Sequence, residues 1–430
     1  MTVKEEIHWQ RTATPALALS PLASPLKTDV LIVGGGLTGC RTALGLAENG
    51  VSVTLVDAKE IGWGASGRSG GQCNPMWRKT PDQLKALIGP HYGETLIRTT
   101  LTAAHDLFSD IATYGIDCDA VQAGWVQAAH TKTAVTAMRA LGKAWIAEGA
   151  DIVECEGDAV EAASGSPAYR WALRHSAGGH VHPLSLTRGY ARAAEARGAR
   201  LFKGTPVTAL TRENGVWQAT TPGGIITADK VVLTTNAYTS DLWPGLRQTF
   251  YPLVSNCLAT APMTEDQAKT VLPNSVTLSD SRLAIYYARR DRDDRLIFGC
   301  VGSDDRVDTL GGFQRLKAGL RTVFPQLAAH PVERKWGGRI AVTPEMMPHL
   351  HEPAPGLVAG LGFSGRGIAM TSVMGRALAA KLLGTPDAEL PFPVSPVKPL
   401  RFHGVARRLI PVAAPAMSAK DRFDTLTNGA

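Results

Sequence analysis

Hydrophobic positions change their period several times along the chain, and each change marks an element. The stretch from Thr28 to Gly39 reads as an apolar strand, Val30-Leu31-Ile32-Val33, running into glycines. Leu37 to Asn49 has helical character and is closed by Gly50, just past the last turn, where a left-handed backbone favours glycine. Val51, Val53 and Leu55 alternate and predict a second strand ending at Val56-Asp57. Segments 83–115 and 131–148 and the stretch Leu186 to Gly198 predict helices. Strands are expected over Tyr169 to His175, Arg200–Leu210, Val216–Thr220 and Lys230–Thr235. Residues 250–300 are rich in β-branched and aromatic side chains and predict an antiparallel sheet. The first 27 residues, with Pro15, Pro21 and Pro25, read as an extended arm, and the proline-rich, basic last forty as a tail.

Composition narrows the class. With 430 residues, 44% hydrophobic and 19% charged, the chain can bury a large core without disulfide staples. The formal charge is +7, and from Lys398 onward six Lys/Arg stand against two Asp. The tail therefore holds about +4 of that charge, which leaves a near-neutral body and argues against nucleic acid as a partner. Six cysteines, at 40, 73, 118, 155, 257 and 300, form no CxxC and no zinc-ligand spacing, so no metal is expected. Met1 to Glu6 is not signal-like, and no apolar run reaches the roughly 18 residues of a membrane span. The default expectation is a soluble, reduced, cytoplasmic protein.

Gly34-Gly35-Gly36-Leu37-Thr38-Gly39 satisfies G-x-G-x-x-G between a strand and a helix. Gly34 permits the tight turn, Gly36 lets a pyrophosphate approach the backbone, and Gly39 lets the helix pack on the strand. The helix start offers free N–H groups to phosphate. Asp57, 18 residues beyond Gly39, ends the second strand, where a carboxylate accepts from a ribose hydroxyl and disfavours a 2′-phosphate. The bland reading is a βαβ turn without ligand. Two further glycine-rich stretches, Ile61 to Gln72 and Gly356 to Gly367, the second followed by helical character over Ile368 to Leu383, suit a ligand as long as FAD.

On these residues the chain resembles the D-amino-acid-oxidase superfamily of FAD-dependent amine oxidoreductases, which includes glycine and sarcosine oxidases. Gly64-Ala65-Ser66-Gly67-Arg68-Ser69-Gly70-Gly71-Gln72 is most similar to the γ-glutamylputrescine oxidase branch. So are Trp9, Val181-His182-Pro183, Arg188-Gly189-Tyr190, Thr235-Asn236-Ala237-Tyr238-Thr239 and Gly362-Phe363-Ser364-Gly365. The likeness runs over about residues 28–385. It implies an α/β fold: a discontinuous Rossmann-like FAD-binding domain over 28–80, 179–240 and 336–386, and an antiparallel-sheet substrate domain over 81–178 and 241–335. An N-terminal arm (1–27) and a basic tail (387–430) flank them.

The resemblance implies that Gly34, Gly36, Leu37, Thr38, Gly39, Asp57 and Ala58 hold the ADP half, with Val207 meeting the adenine. Gly64, Ala65, Ser66, Arg68, Gly71 and Gln72 would approach the pyrophosphate and ring, with Asn236 and Gly362, Phe363, Ser364, Gly365, Arg366 and Gly367 closing over the flavin. FAD is expected to be non-covalent. The tether position of some sarcosine oxidases falls in register on Gly338, no cysteine lies beyond Cys300, and Arg68 stands where other branches use histidine. Candidates for catalysis are Arg68, Tyr287, His349 and Arg366, with Trp77 and Tyr286 as further pocket candidates. Arg68, Arg366 and the Arg289-Arg290 pair suggest an anionic substrate group, and one tyrosine of the 286–287 pair must face the far side of its sheet. Asn256-Cys257-Leu258 offers no oxygen-activating lysine.

The leading expectation is an amine oxidase that forms an imine, hydrolysed to an aldehyde or keto acid, and reduces O2 to hydrogen peroxide. The substrate would be a γ-glutamyl-polyamine or an N-substituted amino acid. The alternatives are a dehydrogenase delivering electrons to a quinone or protein acceptor, its basic tail near a membrane surface, and a non-catalytic flavin-binding protein.

Overall fold

The computed structural model describes residues 3–429, so Met1, Thr2 and Ala430 lie outside it. Two large sheets organise the chain. The first is built on parallel strands in the order Leu357–Leu361, Gly224–Leu233, Leu26–Val33, Val53–Val56, Arg200–Phe202. Leu31, Ile32, Leu55, Val56, Val231 and Val232 are almost wholly buried, as strands covered on both faces require. From Leu26–Val33 the chain continues to Val53–Val56 on one side, while Gly224–Leu233 flanks it on the other. That reversal places a crevice at the carboxyl ends of Leu26–Val33 and Gly224–Leu233, the usual binding position in such sheets. The helices Leu37–Ala47, Pro183–Glu195 and Gly367–Leu382 pack together over this sheet.

The second sheet has nine mostly antiparallel strands. Val332–Val342, Tyr251–Pro262, Arg295–Gly302, Tyr287–Arg290 and Thr277–Asp280 follow one another, and Trp125–Ala128, Trp171–His175 and Ile152–Glu156 extend the row. Ten partners join Tyr251–Pro262 to Val332–Val342, so residue 336, the expected domain boundary, falls inside a strand of this sheet. Val332–Val342 pairs with the second sheet, and the next strand, His349–Ala354, pairs with the first.

Both termini differ from the sequence expectation. The arm contains a short helix, His8–Thr12, whose Trp9 is fully buried between the second sheet and helix Pro183–Glu195. Val394–Ser395 joins the edge of the first sheet, and His403–Asn428 is a helix in spite of Pro411 and Pro415. The carbonyls those prolines leave unpaired lie on a half-solvated helix, where water accepts the task, and the Ala, Arg and Leu around them are strong helix formers.

Candidate active site

The glycine turn forms as its residues require. Gly34 has φ +113°, its N–H donates to the Val56 carbonyl at 2.9 Å, and Thr234 Oγ1 donates to its own carbonyl at 2.8 Å. A Cβ on Gly39 would lie 2.0 Å from the Gly34 carbonyl oxygen, so only glycine lets the helix close on the turn. Asp57 accepts from the Gly35 N–H at 2.8 Å and the Lys59 N–H at 2.7 Å, which fixes its carboxylate at the sheet's carboxyl edge beside the turn. Burial raises its pKa, and the two N–H donors oppose that. Ser66 Oγ accepts from the Leu37 N–H at 2.9 Å and so draws the second glycine loop against the first. Among the described residues, no hydrogen bond engages the N–H or carbonyl of Val207. Asn236 Oδ1 accepts from the Gly362 N–H at 2.9 Å, tying the third loop to the others.

The loop after Asp57 is held from behind. The carbonyls of Arg68, Ser69, Gly70 and Gly71 accept, in turn, from Trp336 Nε1 (2.8 Å), Trp9 Nε1 (2.8 Å), Arg289 Nε (3.1 Å) and the Val181 N–H (2.9 Å). With every carbonyl anchored, the peptide planes are fixed, and the Gly70 and Gly71 N–H groups have no partner among the described residues. Such a row of oriented donors suits an extended anionic or ring ligand. The three loops meet at the crevice, so the residues present fit FAD.

Several side chains expected to face that ligand do other tasks. Arg68 donates to the Trp63 carbonyl at 3.0 Å and the Gly337 carbonyl at 3.3 Å, and its guanidinium stacks 4.6 Å from the Trp63 ring. Its stem covers Gly338, where a Cβ would lie 2.8 Å from the Arg68 Cβ. The Gln72 amide donates to the Leu278 and Ala288 carbonyls at 2.9 and 2.7 Å and thus ties the loop to the second sheet. Tyr287 rests on Gly70 and Gly299, and its hydroxyl lies 2.6 Å from Ser255 Oγ and 3.0 Å from Cys257 Sγ. Burial raises its pKa and keeps it a neutral phenol. Tyr286 is the tyrosine on the far face, packed on Gly319 and Phe298. His349 sits 3.3 Å from Glu345 against His351, and burial lowers its pKa. Arg289 is bound to the Gly70 carbonyl and to Asp119, and Arg290 to Asp294, so that pair does not supply the expected free cations.

A cavity of about 100 Å³ lies beside the start of helix Gly367–Leu382, lined by Trp77, Arg78, Lys79, Met346, Met347, Ser364 and Arg366. Arg366 lies 5.2 Å over the Trp125 ring, and that ring stacks at 4.4 Å on His175. Neither Arg78 nor Arg366 has a carboxylate partner among the described residues. Asp280, whose charge reaches Arg78, is occupied by Arg282 and by the Tyr169 hydroxyl at 2.9 Å. Burial, reinforced by the charge of Arg78, pushes Arg366 down to about 9, and His175 is held neutral, near 3, by burial and by Arg366. Sequence reasoning found Trp77 and Arg366 but passed over Arg78. Its one signal was a cation directly after Trp77.

Residues 29–381 match the family model described as FAD dependent oxidoreductase (DAO). The chain is similar to γ-glutamylputrescine oxidoreductase of Escherichia coli K12, with 30% identity over 90% of this chain and 91% of that protein. Among solved structures it resembles glycine oxidase from Geobacillus kaustophilus, with TM-score 0.73 and 22% identity over 86% of this chain and 99% of that one. It also resembles L-proline dehydrogenase from P. horikoshii, with TM-score 0.70 and 20% identity over 83% and 93%.

Proposed function

Since the chain belongs to the DAO family of FAD-dependent oxidoreductases acting on amines and amino acids, we propose that it oxidises an amine bearing a remote carboxylate and passes the electrons to O2. The observation that carries the carboxylate is the set Arg78, Lys79 and Arg366, three cations lining one cavity without an acid among them. Arg366 is half-buried and Arg78 exposed beside it, and with no acid to neutralise them a substrate carboxylate supplies the missing partner with bidentate geometry. A γ-glutamyl-polyamine or an N-substituted amino acid meets that requirement.

FAD, when bound, accepts the hydride that leaves the carbon next to nitrogen. Gly34, Gly36, Gly39 and Asp57 would hold its ADP half and the Gly70 and Gly71 N–H groups its middle or ring. With Gly338 at the tether register, the hold is non-covalent. Arg78 and Arg366 orient the substrate by its carboxylate, and Trp77 and Trp125 wall the space beside them. The two guanidiniums also repel an ammonium, so the amine sits there as the free base the reaction needs. The amine loses two electrons and two protons to become an imine, O2 gains both pairs as hydrogen peroxide, and water splits the imine. Six unpaired cysteines support a reducing compartment, the cytoplasm.

The test is a panel of amines under anaerobic conditions. Flavin bleaching should be faster with γ-glutamylputrescine or sarcosine-like acids than with their esters or amides, and peroxide should appear in air. Equal rates for charged and uncharged members would remove the carboxylate. Bleaching by hydroxy acids alone would remove the amine.

A further inference from the structure

Helix His403–Asn428 is fastened to the body by one face only. Asp421 accepts from the backbone N–H groups of Leu283 and Ala284 at 2.9 and 2.8 Å, and Ala414 is fully buried. The opposite face carries Phe402, Val405, Leu409, Val412, Phe423 and Leu426, each between 53% and 78% exposed. With Ala416 and Ala419 between them, these positions advance by alternating steps of three and four residues, so all lie on one stripe. It extends about 36 Å at 1.5 Å per residue.

The same segment concentrates the charge. Of its two acids, Asp421 is committed to backbone and Asp424 to Lys420 at 2.8 Å. Arg401, Arg407, Arg408 and Arg422 have no acidic partner among the described residues, and Arg401, Arg408 and Arg422 each immediately precede a stripe residue. We propose that this helix seats the protein on an anionic lipid surface, with the apolar stripe in the interface and the flanking guanidiniums at headgroup phosphates. Long basic side chains beside an apolar face reach outward to phosphate while their stems stay in the interface. A second copy of the helix suits the site less well. Its flanks would offer only more arginine, and Pro411 and Pro415 interrupt the regular ladder on which a coiled coil depends. Attachment is peripheral, since no helix among the described residues is long and apolar enough to cross a membrane.

The experiment is co-sedimentation of the FAD-loaded full chain with vesicles of phosphatidylcholine alone or mixed with phosphatidylglycerol. The protein should sediment with the mixed vesicles, at least tenfold less with neutral ones, and be released at about 1 M salt, where screening acts over about 3 Å. Leu409→Ser with Phe423→Ser should cut partitioning at least tenfold while flavin content and amine turnover stay unchanged, because neither residue touches the cavity or the body's core. Arg408→Gln and Arg422→Gln should each cost about fivefold, from roughly 1 kcal/mol per basic residue near such a surface. Equal partitioning onto both vesicle types, or none, overturns the proposal. So does a concentration-dependent dimer that the two serine substitutions dissolve, since the stripe would then be a seam between copies.

Discussion

Two arginines, Arg289 and Arg366, stand in contrasting surroundings. Both stack on tryptophan, Arg289 at 4.6 Å from the Trp9 ring and Arg366 at 5.2 Å from that of Trp125. Arg289 then finds the Gly70 carbonyl, His180 Nδ1 at 2.8 Å and Asp119 at 3.3 Å, whereas Arg366 finds only another cation, Arg78. Burial lowers both pKa values, but Asp119 and Asp291 restrain the fall at Arg289 and nothing acidic does so at Arg366. A guanidinium paired with an acid belongs to the scaffold. One in a cavity without an acid is available to a ligand.

Removing Arg289 should break the contrast most severely. Arg289→Met leaves Asp119 and the Gly70 carbonyl without their donor, and stability in urea should fall by about 3–5 kcal/mol, the cost of breaking a buried pair. A loss under about 1 kcal/mol would place Arg289 outside the scaffold. Arg366→Met should leave the urea midpoint unchanged or raised, while kcat/KM for the carboxylate-bearing amine falls by roughly 1.5–3 kcal/mol, or about 10- to 150-fold. Steady-state kinetics on the acid and its amide would separate this from a general loss of activity. On the cofactor side, Asp57→Ala should weaken FAD binding by roughly 1.5–3 kcal/mol, read by titrating apoprotein with flavin. The smallest effect is in pH. Arg366 is cationic below about 9 and loses its charge above it, so the acid-to-amide ratio of kcat/KM should hold below that pH and fall beyond it. The ratio cancels the titration of the amine itself, and a flat ratio up to pH 10.5 or so would detach Arg366 from the carboxylate.

The glycine turn and Asp57 were legible in the sequence because their task is local: a positive φ, a close helix, and a carboxylate at a strand end leave marks within thirty residues. The uses of Gln72 and Arg68 were not legible. Both acceptors of Gln72, the carbonyls of Leu278 and Ala288, and one acceptor of Arg68, that of Gly337, are more than 200 residues away, and a main-chain oxygen, even that of the nearby Trp63, carries no residue signature. Arg78 was missed for a related reason. An unpaired cation is recognised by what its neighbours lack, and the cavity it lines is formed by residues 77–79, 346–347, 364 and 366, which lie far apart in the chain. The tail misled through Pro411 and Pro415, which outweighed a three-four apolar spacing that was present in the residues all along.

The anchoring of the 68–71 carbonyls bears on how the molecule is made. Trp9 precedes the loop in the chain, but its counterpart Trp336 follows it by more than 260 residues and is synthesised long after it. A nascent chain that stops short of Trp336 has the glycine turn and Asp57 yet lacks one of the four clamps that orient the following loop. The flavin seat is therefore finished only once residue 336 has been made, and products that stop before it are left with an incompletely clamped loop.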